Sequence, residues 1–204
     1  MTPEERLFKK QANLYRLQQQ VDFFVAGITD GTPSRGPVSM FTEDTIKYLH
    51  KVAMAGLLDL PGEYRQIPVA ISNSPHMPPS WLEVPAHMGT LCHYVRANWT
   101  TRDLVHLAAF VLWRLNWIHP FANGNGRTAR AAAYLTMCAK YGKLLPAKNT
   151  VVQQIMVNRD PYYAALRAAD DLYKVNSNDI DQALQPLIQW LSQLLKEQIR
   201  ASLS

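Results

Sequence analysis

The stretch from His119 to Arg130 contains the residue types that bind phosphate and exchange a proton. At its centre, Asn123-Gly124-Asn125-Gly126 places four residues that tolerate positive φ in a row. Successive backbone N–H groups can therefore turn inward and form a concave anion-binding nest. Arg127 and Arg130 share one face of a helix, where both guanidinium groups can hold neighbouring phosphates. Because His119 can exchange a proton near neutral pH, the stretch predicts a phosphate site with a base beside it.

The residues after the loop favour a helix. Thr128 to Leu135 is rich in alanine, so the loop should cap a helix whose free N–H groups and positive dipole also face the anion. Taken alone, however, two glycines with nearby asparagines and arginines also fit an ordinary turn that leads into a helix.

Apolar residues at helical spacing predict the all-α class, with six to eight helices to position this loop. A capping box at Thr2-Pro3-Glu4-Glu5 opens the first helix, and the glycines and prolines from 31 to 37 end it. An apolar stripe that ends at Ile118 delivers His119. Further helices are expected at about Thr42–Gly56, from Ser80 onward, at Ala131–Tyr141, at Thr150–Val157 and at Pro161–Asp171. A last helix should begin after a cap at Ser177 or Asn178, and Pro186 should kink or divide it.

Strand character is confined to about 62–79, which predicts a short β-hairpin. Ile67, Val69 and Ile71 alternate with smaller or polar residues, and Asn73-Ser74-Pro75 supplies a turn. Prolines restrict both arms to a sheet edge, so their backbone groups stay free to pair with another chain.

Composition predicts one globular domain over 1–204, in which 1–36 form an N-terminal helix and loop and 37–200 form the core. The chain has 48% hydrophobic and 18% charged residues, with a net charge of +5. The basic residues are scattered, which argues against a nucleic-acid surface, and no apolar run is long enough to span a membrane. Cys92 and Cys138 fall in apolar helical patterns and favour reduced core cysteines, hence a cytoplasmic location.

No metal site is indicated by the remaining histidines. They are scattered without a second ligand at metal spacing, so each is expected to be exposed or buried with its hydrogen bonds satisfied. They are His50, His76, His87, His93 and His106.

The string His119-Pro-Phe-Ala-Asn-Gly-Asn-Gly-Arg-Thr-Ala-Arg130 resembles the signature of the Fic (filamentation induced by cAMP) family. That signature is His-x-Phe-x-(Asp or Glu)-Gly-Asn-Gly-Arg-x-x-Arg, and every specified position matches except Asn123. The resemblance extends over about 40–200 and includes Gly62-x-Tyr64-Arg65, which is similar to the family's lead-in to its flap. It implies a protein adenylyltransferase that moves AMP from ATP to a Ser, Thr or Tyr hydroxyl of a target protein.

The resemblance also assigns roles to residues. His119 would be the catalytic base, and Gly124, Asn125, Gly126, Arg127 and Arg130 would bind the phosphates. Phe121 would anchor the loop in the core. Tyr162 and Tyr163 are candidate walls for the adenine, or a packing pair on a helix. Ile67, Val69 and Ile71 of the flap would dock the target's extended segment.

Asn123 departs from the family at the position of its magnesium-binding acid. An amide keeps one carbonyl ligand but removes a negative charge, so affinity for Mg²⁺ should fall. Three readings stay open: a transferase whose magnesium is held mainly by the nucleotide, a transferase with another nucleotide or phosphate-containing donor, and a nucleotide-binding module with little catalysis.

Many Fic proteins are inhibited by a helix with the motif (Ser or Thr)-x-x-x-Glu-(Gly or Asn), and this chain has no intact copy. The nearest match runs from Ala26 to Gly31, where alanine replaces the hydroxyl residue and Asp30 the glutamate. An ordinary helix end explains it better, so inhibition is expected to come from a separate partner or to be absent.

Overall fold

The computed structural model describes residues 1–29, 39, 41–72 and 74–203. Within these residues the chain forms eight α-helices and no strand, which confirms the predicted all-α class. A 3₁₀ turn, Trp81–Glu83, precedes the third helix. The helices are α1 (Pro3–Thr29), α2 (Glu43–Met54), α3 (Val84–Ala97), α4 (Leu104–Ile118), α5 (Asn125–Tyr141), α6 (Val151–Val157), α7 (Asp160–Val175) and α8 (Ile180–Ala201). None of these helices is both long and apolar enough to cross a membrane.

Short-range hydrogen bonds fix the helix ends where the sequence placed them. The predicted capping box is formed at α1, where the Glu5 N–H donates to Thr2 Oγ1 and the Thr2 N–H donates to Glu5 Oε2. Thr42 caps α2 through a hydrogen bond from the Thr45 N–H. Gly142 ends α5 in the left-handed conformation, with φ of 84°.

α4 and α5 form the most extensive helix pair and occupy the centre of the core. α4 is buried on nearly every side, and α5 presents Ala129, Ala131, Ala132 and Ala133 to its neighbours, so adjacent backbones can approach closely. α1 and α2 pack against α5, while α8 packs on α4 and α7. The loop that connects α4 to α5 contains the proposed phosphate site, so its two ends are held by the best-packed helices.

The predicted β-hairpin is wrong for the described residues of 62–79, which contain no strand. The segment is an irregular loop, with bends at 66–67, in which Ile67 is 59% exposed and Val69 and Ile71 are half-buried. Alternation of apolar and polar residues predicted paired strands, but the prolines at 68, 75, 78 and 79 each remove a backbone donor. The segment is therefore not held by hydrogen bonds between paired strands, and a side chain anchors it instead.

That anchor is the buried side chain of Arg65. Its Nε donates to the His119 carbonyl at 2.9 Å, and its Nη1 and Nη2 donate to the carbonyls of Ile67 at 3.0 Å and Pro79 at 2.6 Å. Its own backbone N–H donates to the Pro120 carbonyl at 2.9 Å. One guanidinium thus ties both ends of the loop to the residues that begin the signature stretch.

Two smaller predictions concern the chain ends. Pro186 does not divide α8, which is continuous and begins after Asp179 rather than after Ser177 or Asn178. The Asp179 carboxylate accepts the hydrogen bond of the Gln182 N–H and provides the cap. The predicted break over 31–37 and the Asp30-Gly31 end of the inhibitory-motif match lie outside the described residues.

We expect Arg65→Lys to lower the free energy of unfolding by about 2–4 kcal/mol, because a single ammonium group cannot reach all the carbonyls that the guanidinium satisfies. Urea denaturation followed by circular dichroism measures the change. Arg16→Lys, at an exposed position of α1, is the matched control and should change stability little. Equal stability of the two variants would contradict the anchoring role.

Candidate active site

His119 ends α4 in a left-handed conformation, with φ of 51°. Positive φ is uncommon outside glycine, and here it is maintained from both sides. The His119 N–H donates to the Leu115 carbonyl at 3.0 Å, and its own carbonyl accepts from Arg65 Nε. The turn therefore sends the chain sharply away from α4 into the loop.

The His119 ring is poised as a neutral base. Its Nδ1 lies 3.3 Å from the Asn116 carbonyl, and because a carbonyl can only accept, Nδ1 carries the proton and Nε2 the lone pair. Burial lowers the pKa of His119 to about 4, and the nearby charges of Arg65 and His76 act in the same direction. At neutral pH the ring is uncharged and its Nε2 can accept a proton.

The Asn125 side chain supports the loop and does not face a ligand. Its Oδ1 accepts from the Phe121 N–H at 2.9 Å, and its Nδ2 donates to the Phe121 carbonyl at 2.8 Å. The residue is only 3% exposed. Both of its polar atoms are occupied by backbone groups inside the protein, so the phosphate-binding role predicted for Asn125 would be carried by its backbone N–H.

His50 of α2 is a part of the site that the sequence did not single out. Its ring stacks on Phe121 with centroids 3.7 Å apart. Because the Gly62 N–H donates to its Nδ1 at 2.8 Å, Nε2 carries the proton and donates to the Asn123 carbonyl at 2.9 Å. Burial lowers the pKa of His50 to about 4. The sequence predicted only that His50 would be exposed or buried with its hydrogen bonds satisfied; the fold shows that it is buried and bonded to Gly62 and to the loop residue Asn123.

The nest is smaller than predicted. Of the four residues from 123 to 126 only Gly124 has positive φ, at 80°, because Asn125 and Gly126 already belong to α5. A Cβ at Gly124 would lie 2.6 Å from Met54 Sδ, so backbone conformation and space both require glycine there. Within the described part of the chain, no acceptor pairs with the Asn125 and Gly126 N–H groups. These two amides, at the positive end of α5, remain available to an anion.

Arg127 and Arg130 project from the first turns of α5 without a carboxylate partner among the described residues. Arg127 Nη1 donates to the Ala53 carbonyl at 3.2 Å. A Cβ added at Gly126 would lie 3.2 Å from Arg130 Nη1, so the Arg130 guanidinium lies over the free end of α5. Burial lowers the pKa of both arginines. Two partly buried, unpaired guanidinium groups beside free amides form a strong anion site.

The two arginines line a cavity of about 50 Å³, whose walls come from α1, α5 and α6. The described residues that line it do not include His119, so the base and the arginine pair do not share this cavity. They are joined through the loop that carries both.

The tyrosine pair has two different environments. Tyr162 is 1% exposed, accepts from Asn116 Nδ2 at 2.9 Å and stacks on Trp190, as a packing residue would. Tyr163 is 44% exposed. Tyr162 also interacts with Arg130 and with Asn116, whose carbonyl orients the His119 ring, so it supports the site from within the core.

Asn123 is exposed, and its side chain turns back on the loop. Its Oδ1 accepts from the Gly124 N–H at 2.7 Å. Among the described residues, no group of three His, Cys, Asp or Glu side chains could hold a metal ion. The loop therefore offers no carboxylate, and its one amide oxygen is already engaged.

Comparison with known proteins agrees with this loop and fold. The Fic/DOC family model matches residues 40–137. A Fido domain-containing protein of Dictyostelium discoideum is 31% identical over 122 residues, which are 59% of this chain and 80% of that protein. This chain belongs to the Fic/DOC family.

Solved structures share the fold of this Fic domain. A Fic domain containing signaling protein from Bacteroides thetaiotaomicron has a TM-score of 0.66 and 22% identity, over 97% of this chain and 72% of that chain. A Fic family protein from Desulfovibrio desulfuricans has a TM-score of 0.63 and 21% identity, over 99% of this chain and 66% of that chain. Fic-1 of C. elegans has a TM-score of 0.62 and 20% identity, and this chain spans 52% of it.

We expect the Fic domain to lose stability as pH falls from about 6.5 towards 4. In this range His50 and His119 bind protons in the unfolded chain but not in the folded protein, where their pKa values are about 4. His50→Gln should be less stable at pH 7 and should show a shallower pH dependence, by at most about 1.4 kcal/mol per pH unit. Urea denaturation between pH 7 and 4.5 measures both slopes.

The matched control is His93→Gln, at an exposed position of α3, which should keep the slope of the unmodified protein. A slope for His50→Gln as steep as that of His93→Gln would show that His50 is not held neutral by the loop.

Proposed function

We propose that this Fic domain transfers AMP from ATP to a Ser, Thr or Tyr hydroxyl of another protein. The observation that carries the proposal is the His119 ring, which is neutral, oriented through Nδ1 by the Asn116 carbonyl, and connected by one short loop to the unpaired Arg127 and Arg130. Family membership supports a transferase of this type.

In the proposed reaction, His119 Nε2 removes the proton of the acceptor hydroxyl as its oxygen attacks the α-phosphorus of ATP. The bond from the α-phosphorus to the bridging oxygen breaks, and pyrophosphate leaves with that oxygen. The Asn125 and Gly126 N–H groups stabilise charge on the phosphate oxygens. Arg127 and Arg130 hold the outer phosphates and thereby orient the α-phosphorus for in-line attack.

The low pKa of His119 is consistent with this role once ATP is bound. A base with a pKa of about 4 is always unprotonated at neutral pH but accepts a proton weakly. Negative charge on the bound phosphates stabilises the protonated ring and raises its pKa towards neutrality. Bound ATP would therefore make His119 a stronger base, so that His119 accepts a proton only in the complex with ATP.

The acceptor would bind along the loop at 66–72, with Ile67, Val69 and Ile71 as contacts. Ile67 is largely exposed, and the segment is tied by Arg65 to the His119 carbonyl, so a peptide laid along it would be directed towards His119. Backbone groups of this loop that pair with no strand of the protein can still offer hydrogen bonds to an added strand.

Magnesium does not fit a protein-held site in this loop, because Asn123 is neutral and its oxygen accepts from the Gly124 N–H. Magnesium bound to the phosphates of ATP would neutralise part of their charge. All the steps above are assigned to the side chains and amides of the chain itself.

The rival function is a nucleotide-binding module, and the neutral Asn123 is the observation that favours it. We also propose a cytoplasmic setting, supported by the free and buried Cys92 and Cys138. Because the chain has no intact copy of the inhibitory motif, we propose that inhibition comes from a separate protein partner or is absent. Burial raises the pKa of Cys92 to about 12 and that of Cys138 to about 11, which makes both thiols unreactive.

We expect His119→Ala to abolish transfer of α-labelled AMP to proteins while ATP affinity measured by calorimetry changes less than about threefold, because the ring acts on the hydroxyl and not on the phosphates. His93→Ala is the exposed control and should retain labelling. Binding of ATP without labelling of any lysate protein by the unmodified chain would establish the binding module. The same assay with each nucleoside triphosphate and with a phosphocholine donor identifies the donor.

We expect Asn123→Asp to lower the magnesium concentration needed for half-maximal labelling, because a carboxylate supplies the missing anionic ligand. Aspartate keeps an oxygen that can accept from the Gly124 N–H, so the loop need not change shape. Without magnesium the new charge should weaken ATP binding. Asn123→Ala is the control that removes the oxygen altogether. An unchanged magnesium dependence in Asn123→Asp would show that position 123 does not contact the ion.

A further inference from the structure

The cavity beside Arg127 and Arg130 is closed on one side by α1, through Leu14, Leu17 and Val21. At about 50 Å³ it has room for a few water-sized groups but not for a nucleoside. Its apolar wall cannot neutralise two guanidinium groups. A ligand that enters this cavity must therefore be compact and negatively charged.

Further positive charge comes from outside the signature. After burial, the largest influences that lower the pKa of Arg127 are the charges of Arg130 and Arg6. Burial also lowers the pKa of Arg130. The positive charge of Arg159 lowers this pKa further, while Tyr162 and Tyr163 raise it. No carboxylate is among these influences from the described residues.

The packing of α1 explains how Arg6 reaches the site. Asn13 is fully buried and donates to the Ala53 carbonyl at 3.3 Å, the same oxygen that accepts from Arg127 Nη1 at 3.2 Å. Arg6 precedes Asn13 by two helical turns and so lies on the same face of α1. α1 therefore carries Arg6 along the side on which Arg127 lies.

Arg159 lies close to the α6 wall of the cavity. It immediately precedes α7, and its Nη2 lies 3.7 Å from the sulfur of Met156, a residue that lines the cavity. The charges of Arg6 on α1 and of Arg159 before α7 thus add to those of Arg127 and Arg130 on α5, and none of the four arginines has an ion-pair partner at this site among the described residues. Such a group of like charges destabilises the unliganded protein and is relieved by a polyanion.

We infer that Arg6 and Arg159 are specificity residues that bind the third phosphate of the donor, together with Arg127 and Arg130. The inference rests on the proposed function and adds to it a donor class: compounds with a chain of at least three phosphates are preferred over diphosphates. A diphosphate ends before this group of charges, whereas a triphosphate places its most highly charged terminus there.

The test is calorimetry with ATP, ADP and inorganic triphosphate on the full chain, for Arg6→Gln, Arg159→Gln and two controls. Arg16→Gln on α1 and Arg167→Gln on α7 remove the same charge from exposed positions of the same helices. We expect Arg6→Gln and Arg159→Gln each to weaken ATP and inorganic triphosphate about three- to tenfold and ADP by less than twofold. The controls should leave all affinities within about twofold.

A ratio of ATP affinity to ADP affinity in Arg6→Gln and Arg159→Gln equal to that in the controls would overturn the inference. So would the absence of binding of both ATP and inorganic triphosphate to the unmodified chain. Binding of inorganic triphosphate that depends on Arg6 and Arg159, without any binding of ATP, would support the inference about these residues and reject the nucleotide donor. Failure of the transfer reaction is scored separately, by the loss of labelling in the His119 assay.

Discussion

The loop at the candidate active site depends on one pair of hydrogen bonds, between the Asn125 amide and the backbone of Phe121. Asn125 is the first residue of α5, and Phe121 is fully buried, so the bonds close the loop against the start of the helix that follows it. His50 extends this support to α2 by stacking on Phe121 and donating to the Asn123 carbonyl. A buried amide whose oxygen and nitrogen are both used is costly to disrupt, which makes the loop a preorganised site.

This closed loop separates two electrostatic environments. On one side, His119 is half-buried, oriented by the Asn116 carbonyl and kept neutral, as a base must be. On the other side, Arg127 and Arg130 retain charge that no described carboxylate neutralises. The first arrangement favours loss of a proton from an acceptor and the second favours an anionic donor. A triphosphate is the kind of ligand that can extend from one to the other.

Local chemistry was sufficient for much of the fold. Caps at Thr2, Thr42 and Gly142 and the apolar stripes predicted the helices, because a helix end is decided by residues within one turn. The hairpin prediction failed for the opposite reason. Alternation at Ile67, Val69 and Ile71 is a local pattern, whereas a strand requires a partner strand to pair with. Here the carbonyls of Ile67 and Pro79 accept hydrogen bonds from the Arg65 side chain instead.

By itself the sequence determined the all-α class, the family resemblance and the positions of His119, Arg127 and Arg130, because these follow from residue types at short spacing. Only the tertiary structure decided that the Asn125 side chain faces inward and that His50 supports the loop. It also decided that Arg6 and Arg159 approach the signature arginines. These contacts join residues that are distant in the chain, and which groups meet is set by helix packing that no local pattern encodes.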